Sequence, residues 1–203
     1  MSKIDGIHAS TTDVERFASE YFDYLKSIFD SVDRSAIREF ESEFQDTFTE
    51  ETTLFVVGNG GSAATASTMA NDIGFDLLKK TSITKPLRVV SLADNNAVVT
   101  AIANDTGYEN LFLNQLRIHY RDGDKLLVIS ASGNSENLVR AAQWVKERKG
   151  KVLGLLGFDG GRLLGLCDPA IHVKTERGEY GPVEDLHLII NHIFAHWFQN
   201  TMR

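Results

Sequence analysis

Short apolar runs alternate along the chain with longer segments of helical periodicity. Four of the runs are rich in β-branched and aliphatic residues and cover 54–57, 88–92, 125–129 and 152–156. Runs of this kind are typical of strands that are buried on both faces of a parallel sheet. A weaker run at 169–173 begins with proline, which favours an edge strand. The pattern therefore predicts the α/β class, with a doubly wound, parallel, five-stranded sheet.

Two helices are predicted before the first strand. Apolar residues recur at spacings of three and four over 13–29 and again over 34–50, which is the pattern of amphipathic helices. The first twelve residues are polar, and we expect them to be loosely held. No shift in composition marks a second domain, so the chain is interpreted as one domain, 1–203. Within it, 1–50 form a helical region and 51–203 form the α/β core.

Glycine-rich turns follow three of the predicted strands, and a helix is predicted directly after each turn. The turns are GNGG at 58–61, SASGNS at 130–135 and GFDGG at 157–161. Parallel strands end at the same edge of a sheet, which is where ligands of doubly wound folds bind. A helix N-terminus at that edge directs N–H groups and a positive dipole end at the ligand. This arrangement favours an anion such as phosphate.

Hydroxyl groups strengthen the phosphate interpretation of the first two turns. Ser62 can either cap its helix or donate its hydroxyl to a phosphate oxygen. The second turn carries more hydroxyls than a helix cap needs, from Ser130, Ser132 and Ser135. An ordinary capped turn is the alternative at both places. The number of hydroxyls favours a phosphate cradle.

The last predicted helix, 182–202, carries the candidates for acid–base chemistry. At about 100° per residue, one broad face is apolar and consists of Leu186, Ile189, Ile190, Ile193 and Trp197. A polar stripe consists of Glu184, Asp185, His192 and His196. Histidine titrates near neutral pH and a carboxylate can orient it, so the stripe is a candidate for proton transfer beside the anion site.

Composition and charge narrow the classes of function. The net charge of −7 argues against a general nucleic-acid or anionic-membrane surface. Cys167 is the only cysteine, which rules out an internal disulfide and is consistent with a reducing cytoplasm. We find no signal-peptide core in the first residues and no apolar run near the roughly 20 residues of a membrane span. The motifs of P-loop nucleotidases, dinucleotide-binding folds, serine hydrolases and zinc proteases are also absent.

Four segments, in this order and spacing, carry a family resemblance: GNGGSAATAS, AIANDTGYENLF, SASGNSENLVRA and LGFDGGRL. They resemble the sugar isomerase (SIS) domain family and, within it, the phosphoheptose isomerase family, from about residue 54 to the last residue. The resemblance implies a flavodoxin-like fold and a homotetramer with active sites at subunit interfaces. It also implies conversion of sedoheptulose 7-phosphate to a D-glycero-heptose 7-phosphate, for lipopolysaccharide, capsule or another glycan.

The resemblance assigns binding residues as well. Substrate contacts fall on Asn59, Gly60, Gly61, Asn104 and Asp105. The resemblance implies that the phosphate is bound by the same three serines, Ser130, Ser132 and Ser135.

The chain departs from the family pattern at the catalytic positions. Where the family has a histidine and a glutamate four residues apart on the first core helix, this chain has Thr68 and Asp72. Where the family has a glutamine and a histidine eight apart on the last helix, it has Glu184 and His192. The resemblance implies Asp72 as the carbon base, His192 as a proton shuttle through an enediol, and Glu184 as a substrate contact. These family positions can also hold zinc, so a metal bound by Asp72, Glu184 and His192 stays open.

A second class of function is also open. A non-catalytic SIS module would sense a sugar phosphate or bind a partner protein, and one resembling bacterial group binds a replication initiator. Such a module has no need of titratable groups at the catalytic positions. The acid–base types of Asp72, Glu184 and His192 therefore favour the enzyme.

Overall fold

The computed structural model describes residues 2–202, in which five parallel strands form one sheet with helices on both faces. The strands are β1 (Thr53–Val57), β2 (Arg88–Ser91), β3 (Lys125–Ser130), β4 (Lys151–Gly157) and β5 (Ala170–Val173). Their order in the sheet is β2-β1-β3-β4-β5. This is the flavodoxin-like order, so the predicted fold class is confirmed, and β5 is an edge strand as its leading proline indicated.

The centre of the sheet is formed by β1 and β3, whose residues are all buried. β1 pairs in parallel with β2 on one side and with β3 on the other. After β1 the chain crosses toward β2, and after β3 it crosses the opposite way toward β4. The carboxyl ends of β1 and β3 therefore border the switch point, the crevice in which doubly wound folds bind ligands.

The helices flank this sheet in two layers. In chain order they are α1 (Lys3–Ser10), α2 (Val14–Ser31), α3 (Arg34–Thr49), α4 (Gly61–Met69), α5 (Asp76–Lys80), α6 (Asn96–Thr106), α7 (Leu111–His119), α8 (Glu136–Glu147), α9 (Gly161–Leu164) and α10 (Tyr180–Thr201). A π-helical segment, Ala70–Phe75, joins α4 to α5 without a break. A 3₁₀ turn, Tyr108–Asn110, precedes α7.

The N-terminal segment is more ordered than its polar sequence indicates. Ser2 caps α1, since its hydroxyl accepts from Asp5 N at 3.1 Å while Ser2 N donates to the Asp5 carboxylate at 3.0 Å. This reciprocal pair is a capping box. The expectation of a loose start is therefore wrong from Ser2 onward, and Met1 lies outside the described residues.

The helix after β2 carries two of the predicted substrate contacts. It continues through Asn104 to Thr106 and ends at Gly107, whose φ of 94° suits glycine. Asn104 and Asp105 therefore lie in the last helical turn rather than in a loop.

Two hydrophobic cores hold the layers against the sheet. On one face, α3 and α10 meet through aromatic rings, with the Phe44 and Phe194 centroids 5.1 Å apart. On the other face, α7 and α8 pack on the sheet through buried residues that include Phe112 and Val145. The N-terminal helices thus share a core with the last helix, which fixes the position of α10 relative to the strands.

The last helix buries a different face from the one expected. The residues that pack inward include Val183, Leu186, Ile190, Phe194 and Phe198. Two polar residues, His187 and Asn191, are also fully buried. Three members of the predicted apolar face are instead exposed, by 42%, 37% and 52% respectively: Ile189, Ile193 and Trp197. The prediction is wrong for these three because the phenylalanines, rather than the isoleucines, pack against α3.

The start of α10 is tied to α2. Tyr21 Oη donates to Asp185 Oδ2 at 2.5 Å, and Tyr24 Oη donates to Glu179. The prediction grouped Asp185 with His192 on one polar stripe, but the bond with Tyr21 gives Asp185 a partner on another helix. Within residues 2–202, no helix is both long and apolar enough to cross a membrane.

Candidate functional site

A polar pocket lies at the switch point between β1 and β3. Its volume is about 110 Å³, which is room for more than a single water. Residues that follow β1, residues that follow β3 and the start of α10 line it, namely Asn59, Ser62, Ile129, Ser130, Ala131, Ser132, Ser135, Leu138, Tyr180 and Glu184. All three serines predicted to hold a phosphate, together with Asn59 and Ser62, therefore meet in one place.

The loop after β3 turns its hydroxyls toward this pocket through its own hydrogen bonds. Gly133 N donates to Ser130 Oγ at 3.0 Å, and Asn134 N donates to Ser132 Oγ at 3.3 Å. Because each hydroxyl accepts from the loop, its own proton is available to donate to a ligand. Ser135 is the N-cap residue of α8, yet its side chain makes no capping bond within residues 2–202. The hydroxyl of Ser135 is therefore not used as a helix cap.

The turn after β1 differs from the prediction in its cap. Gly60, with a φ of 54°, is the N-cap of α4, and Ser62 sits in the first helical turn with 5% of its surface exposed. The suggestion that Ser62 caps the helix is therefore wrong, and its hydroxyl lines the pocket. Gly61 begins the helix beside Glu184, which approaches from α10.

Asn59 is held by a network that the sequence did not reveal. Its side chain exchanges two hydrogen bonds with the buried Asn137, at 3.0 and 2.9 Å. Tyr108 Oη also donates to Asn59 Oδ1, at 2.8 Å. The network fixes the amide of Asn59 at the rim of the pocket. The motif ENLVRA contained Asn137, but only the fold shows that it faces Asn59.

Glu184 places a carboxylate against a pocket rich in hydroxyl donors. Burial, and then the neighbouring charge of Asp185, raise the pKa of Glu184. Tyr180, another pocket residue that the sequence did not single out, packs edge-on against Phe158 with centroids 5.0 Å apart. Glu184 and Tyr180 therefore form the α10 wall of the pocket.

Asp72 and His192, the predicted acid–base residues, form a second cluster. His192 Nε2 lies 3.6 Å from Asp72 Oδ2. Asp72 is in the π-helical segment, and its carboxylate accepts from Asn71 Nδ2 at 3.0 Å and from Asn191 Nδ2 at 2.8 Å. The imidazole is half exposed, whereas the carboxylate is mostly buried. A carboxylate held in place beside a solvent-exposed imidazole is an arrangement that suits proton transfer.

The two clusters are separated along α10. Glu184 and His192 are eight residues apart, and a helix rises about 12 Å over that distance. Asn104 and Asp105 lie in neither cluster: both are exposed at the end of α6, where Asn104 Nδ2 donates to Asp105 Oδ1 at 2.8 Å. Within one chain, the predicted substrate contacts therefore do not all surround a single cavity.

The same separation decides whether Asp72, Glu184 and His192 of one chain can bind a metal ion together. Among residues 2–202, no group of three or more histidine, cysteine, aspartate or glutamate side chains is close enough to hold a metal ion. Asp72 and His192 are neighbours, but Glu184 lies two helical turns away beside the serine loop. In addition, two amide groups already occupy the Asp72 carboxylate. The set Asp72, Glu184 and His192 therefore does not form a zinc site in the single chain.

Comparisons with known proteins agree with the fold and with the motifs. The SIS domain family matches residues 20–157. A phosphoheptose isomerase of Nitratiruptor sp. is 38% identical over 142 residues, which cover 70% of this chain and 73% of that protein. A phosphoheptose isomerase of Rhodospirillum rubrum is 35% identical over 138 residues, which cover 68% and 71%.

A solved phosphoheptose isomerase structure is similar to this chain over nearly its whole length. The phosphoheptose isomerase of Neisseria gonorrhoeae superposes with a TM-score of 0.79 at 25% identity, and the match covers 92% of this chain and 98% of that one. The similarity therefore includes the N-terminal helices as well as the α/β core.

Proposed function

The chain belongs to the phosphoheptose isomerases of the SIS domain family, and we propose that it interconverts sedoheptulose 7-phosphate and D-glycero-heptose 7-phosphate. The observation that carries the chemical part of this proposal is the approach of His192 Nε2 to Asp72 Oδ2, at 3.6 Å. The serine-lined pocket at the switch point supports the phosphate part.

In this mechanism the phosphate is bound at the switch point. The loop after β3 and the N-terminus of α8 surround it with hydroxyl and N–H donors, with Ser130, Ser132 and Ser135 as the side-chain donors. Asn59 and Glu184 bind sugar hydroxyls, because a carboxylate and a fixed amide suit neutral hydroxyls better than a phosphate. Gly60 and Gly61 let the backbone approach the sugar closely.

The chemical step is an exchange of protons on two adjacent carbons and their oxygens. Asp72 takes the proton from the carbon next to the carbonyl. The electron pair of the broken C–H bond then forms the carbon–carbon double bond of an enediol. His192 gives a proton to the carbonyl oxygen and later takes one from the neighbouring hydroxyl. Asp72 then returns its proton to the other carbon, so atoms and charge balance and no oxidant is needed.

Assembly completes the site in this proposal. We infer a homotetramer, or at least a dimer, in which a second copy brings Asn104 and Asp105 to the sugar. The exposed apolar residues Ile189, Ile193 and Trp197 on α10 support such an interface, because a stripe of this kind is typical of a contact surface. The acidic chain and its single cysteine further support a cytoplasmic enzyme that binds neither nucleic acid nor membranes.

Exchange with deuterated water tests the proposal directly. Wild-type protein incubated with sedoheptulose 7-phosphate should incorporate deuterium at the carbon next to the carbonyl, and Asp72→Asn should abolish incorporation while substrate affinity changes only a few-fold. Asp76→Asn is the matched control, because Asp76 lies one turn further along and pairs with Lys80 at the surface. Exchange at the wild-type rate in Asp72→Asn would disprove the base assignment.

The same assay separates the enzyme from a sensor. If the wild type binds the sugar phosphate but neither it nor the zinc-supplemented protein exchanges any deuterium, a non-catalytic binding module is the correct interpretation. Loss of exchange on chelation and recovery with zinc would show that the reaction depends on a metal.

A further inference from the structure

Asn191 occupies a position that the hydrophobic core would ordinarily give to an aliphatic side chain. It is fully buried on the inward face of α10, between Ile190 and the Phe194–Phe198 pair. Asparagine is a poor helix former and its amide is costly to bury. A buried amide at such a position therefore requires a specific partner.

That partner is Asp72. Asn191 Nδ2 donates to Asp72 Oδ2 at 2.8 Å. The orientation of the amide follows from chemistry, since an ionised carboxylate only accepts and must meet the NH₂ group. The opposite end of the amide, Asn191 Oδ1, has no partner among the described residues. Asn191 therefore keeps its bond to Asp72 even though its own oxygen stays unpaired, which is unfavourable for a buried amide.

The carboxylate needs this support because of where it sits. A π-helical segment carries Asp72, and such segments lack the regular i→i+4 bonding of an α-helix. Asn71 binds Oδ1 from the exposed side. His192 is 3.6 Å from Oδ2, which is longer than a direct hydrogen bond, so it does not fix the oxygen that Asn191 holds.

We propose that Asn191 is a positioning residue for the reaction: its amide fixes Asp72 Oδ2 so that the carboxylate meets the substrate carbon in one orientation. The inference rests on the proposed role of Asp72 as base. Asn191 has no exposed surface, so it acts on the substrate only through the Asp72 carboxylate that it holds. A shift of about 1 Å in a reacting group costs about 100-fold in rate, so loss of this one bond should be measurable.

Two variants of Asn191 test the proposal. Asn191→Leu keeps the branching and the number of heavy atoms of the side chain and suits the apolar core, and Asn191→Ala serves if the first variant is poorly folded. We expect kcat to fall about 10- to 100-fold while KM changes by less than about threefold, because positioning affects the chemical step rather than ground-state binding. The fall in deuterium incorporation should match the fall in kcat.

Gln115→Leu is the matched control. Gln115 is also a buried amide on a helix, but it donates to the backbone carbonyls of Leu92 and Leu111. If burial of an amide mattered only for folding, both substitutions would alter thermal stability and neither would alter kcat selectively. We expect the selective loss of kcat in the Asn191 variants alone.

The outcomes distinguish this inference from the proposed function. A folded Asn191→Leu protein with wild-type kcat, alongside an inactive Asp72→Asn protein, would overturn the positioning role and leave the base assignment intact. A fully active Asp72→Asn protein would overturn the base assignment itself. A parallel rise in KM and fall in kcat in both Asn191→Leu and Gln115→Leu would show a structural role only.

Discussion

Gly61 and Glu184 are in such close contact that a side chain at residue 61 would collide with the Glu184 carboxylate. A Cβ at residue 61 would lie 2.3 Å from Glu184 Oε2. The first residue of α4 and the carboxylate of α10 thus meet at the wall of the serine-lined pocket. The glycine motif after β1 therefore does more than turn the chain, because it makes room for a group from the last helix.

Gly61→Ala should weaken substrate binding with little effect on folding. The added methyl group must displace the end of the flexible Glu184 side chain, which changes the shape of the pocket, whereas alanine favours a helix by up to about 1 kcal/mol. We expect KM to rise several-fold and the melting temperature to be retained. Gly165→Ala is the control, because no atom lies within 4 Å of a Cβ there. An unchanged KM in Gly61→Ala would contradict this prediction.

Removal of either cradle hydroxyl should weaken sugar-phosphate binding. Ser132→Ala and Ser135→Ala should each cost about 1–3 kcal/mol of binding free energy, the value expected for a hydrogen bond to a charged group. Isothermal calorimetry with the sugar phosphate measures the effect. Ser19→Ala on α2 provides the comparison, since that hydroxyl binds only its own helix at Glu15 O. Equal affinity in all three variants would rule out the phosphate cradle.

His192→Gln should slow turnover by about 10²- to 10⁴-fold, the usual contribution of a general acid–base group. Glutamine retains polarity and approximate size but cannot exchange a proton near neutral pH. His196→Gln is the control, because His196 lies one turn further along α10 in the groove against α3. Comparable losses in both variants would argue for a structural effect on α10 rather than for proton transfer by His192.

The stability of the fold should decrease in mild acid because of His187. Burial lowers the pKa of His187 from 6.5 to about 4. Between those values the unfolded chain binds a proton that the native protein rejects, so the free energy of unfolding falls as the pH falls. The full effect is about 3 kcal/mol. Urea unfolding from pH 7 to pH 4 should show a smaller decrease in His187→Leu, and equal pH dependence in the two proteins would refute the assignment.

A charge on the exposed stripe of α10 should break the proposed assembly. Ile193 borders an apolar groove of about 710 Å³ between α3 and α10, and burial of an aspartate in a subunit interface is unfavourable. Light scattering should give a multiple of 22.6 kDa for the wild type and a smaller mass for Ile193→Asp. Phe22→Asp, at an exposed apolar residue on α2, is the comparison. A wild-type mass near 22.6 kDa would refute the tetramer.

The serine-lined pocket at the switch point was predictable because it depends on local sequence. Glycine and serine directly after a buried strand identify both the turn and the helix N-terminus that follows, so Asn59 and Ser135 could be placed without coordinates. The strands were equally predictable, since short apolar runs that alternate with helical segments are typical of a parallel sheet buried on both faces. Asp72 and His192 came from a family resemblance, and the structure does bring them together.

The remaining features depend on tertiary packing. The face that α10 buries is set by the phenylalanines of α3, and periodicity alone could not choose between Phe194 and Ile193. The π-helical segment has no local signal in the sequence. Asn137 and Asn191 act through partners 78 and 119 residues away, which no pattern along the chain reveals.

The π-helical segment also constrains the length of the chain. Bonding from i to i+5 inserts one residue into a helical turn, and every side chain beyond it is rotated by about 100° relative to an uninterrupted helix. Leu77 is fully buried in α5 because of that rotation. Regular α-helical winding of the same residues would therefore turn Leu77 toward water, whereas deletion of a single residue between Ala70 and Phe75 would restore regular winding and keep Leu77 on its buried face. This stretch should thus tolerate the loss of one residue better than the gain of one.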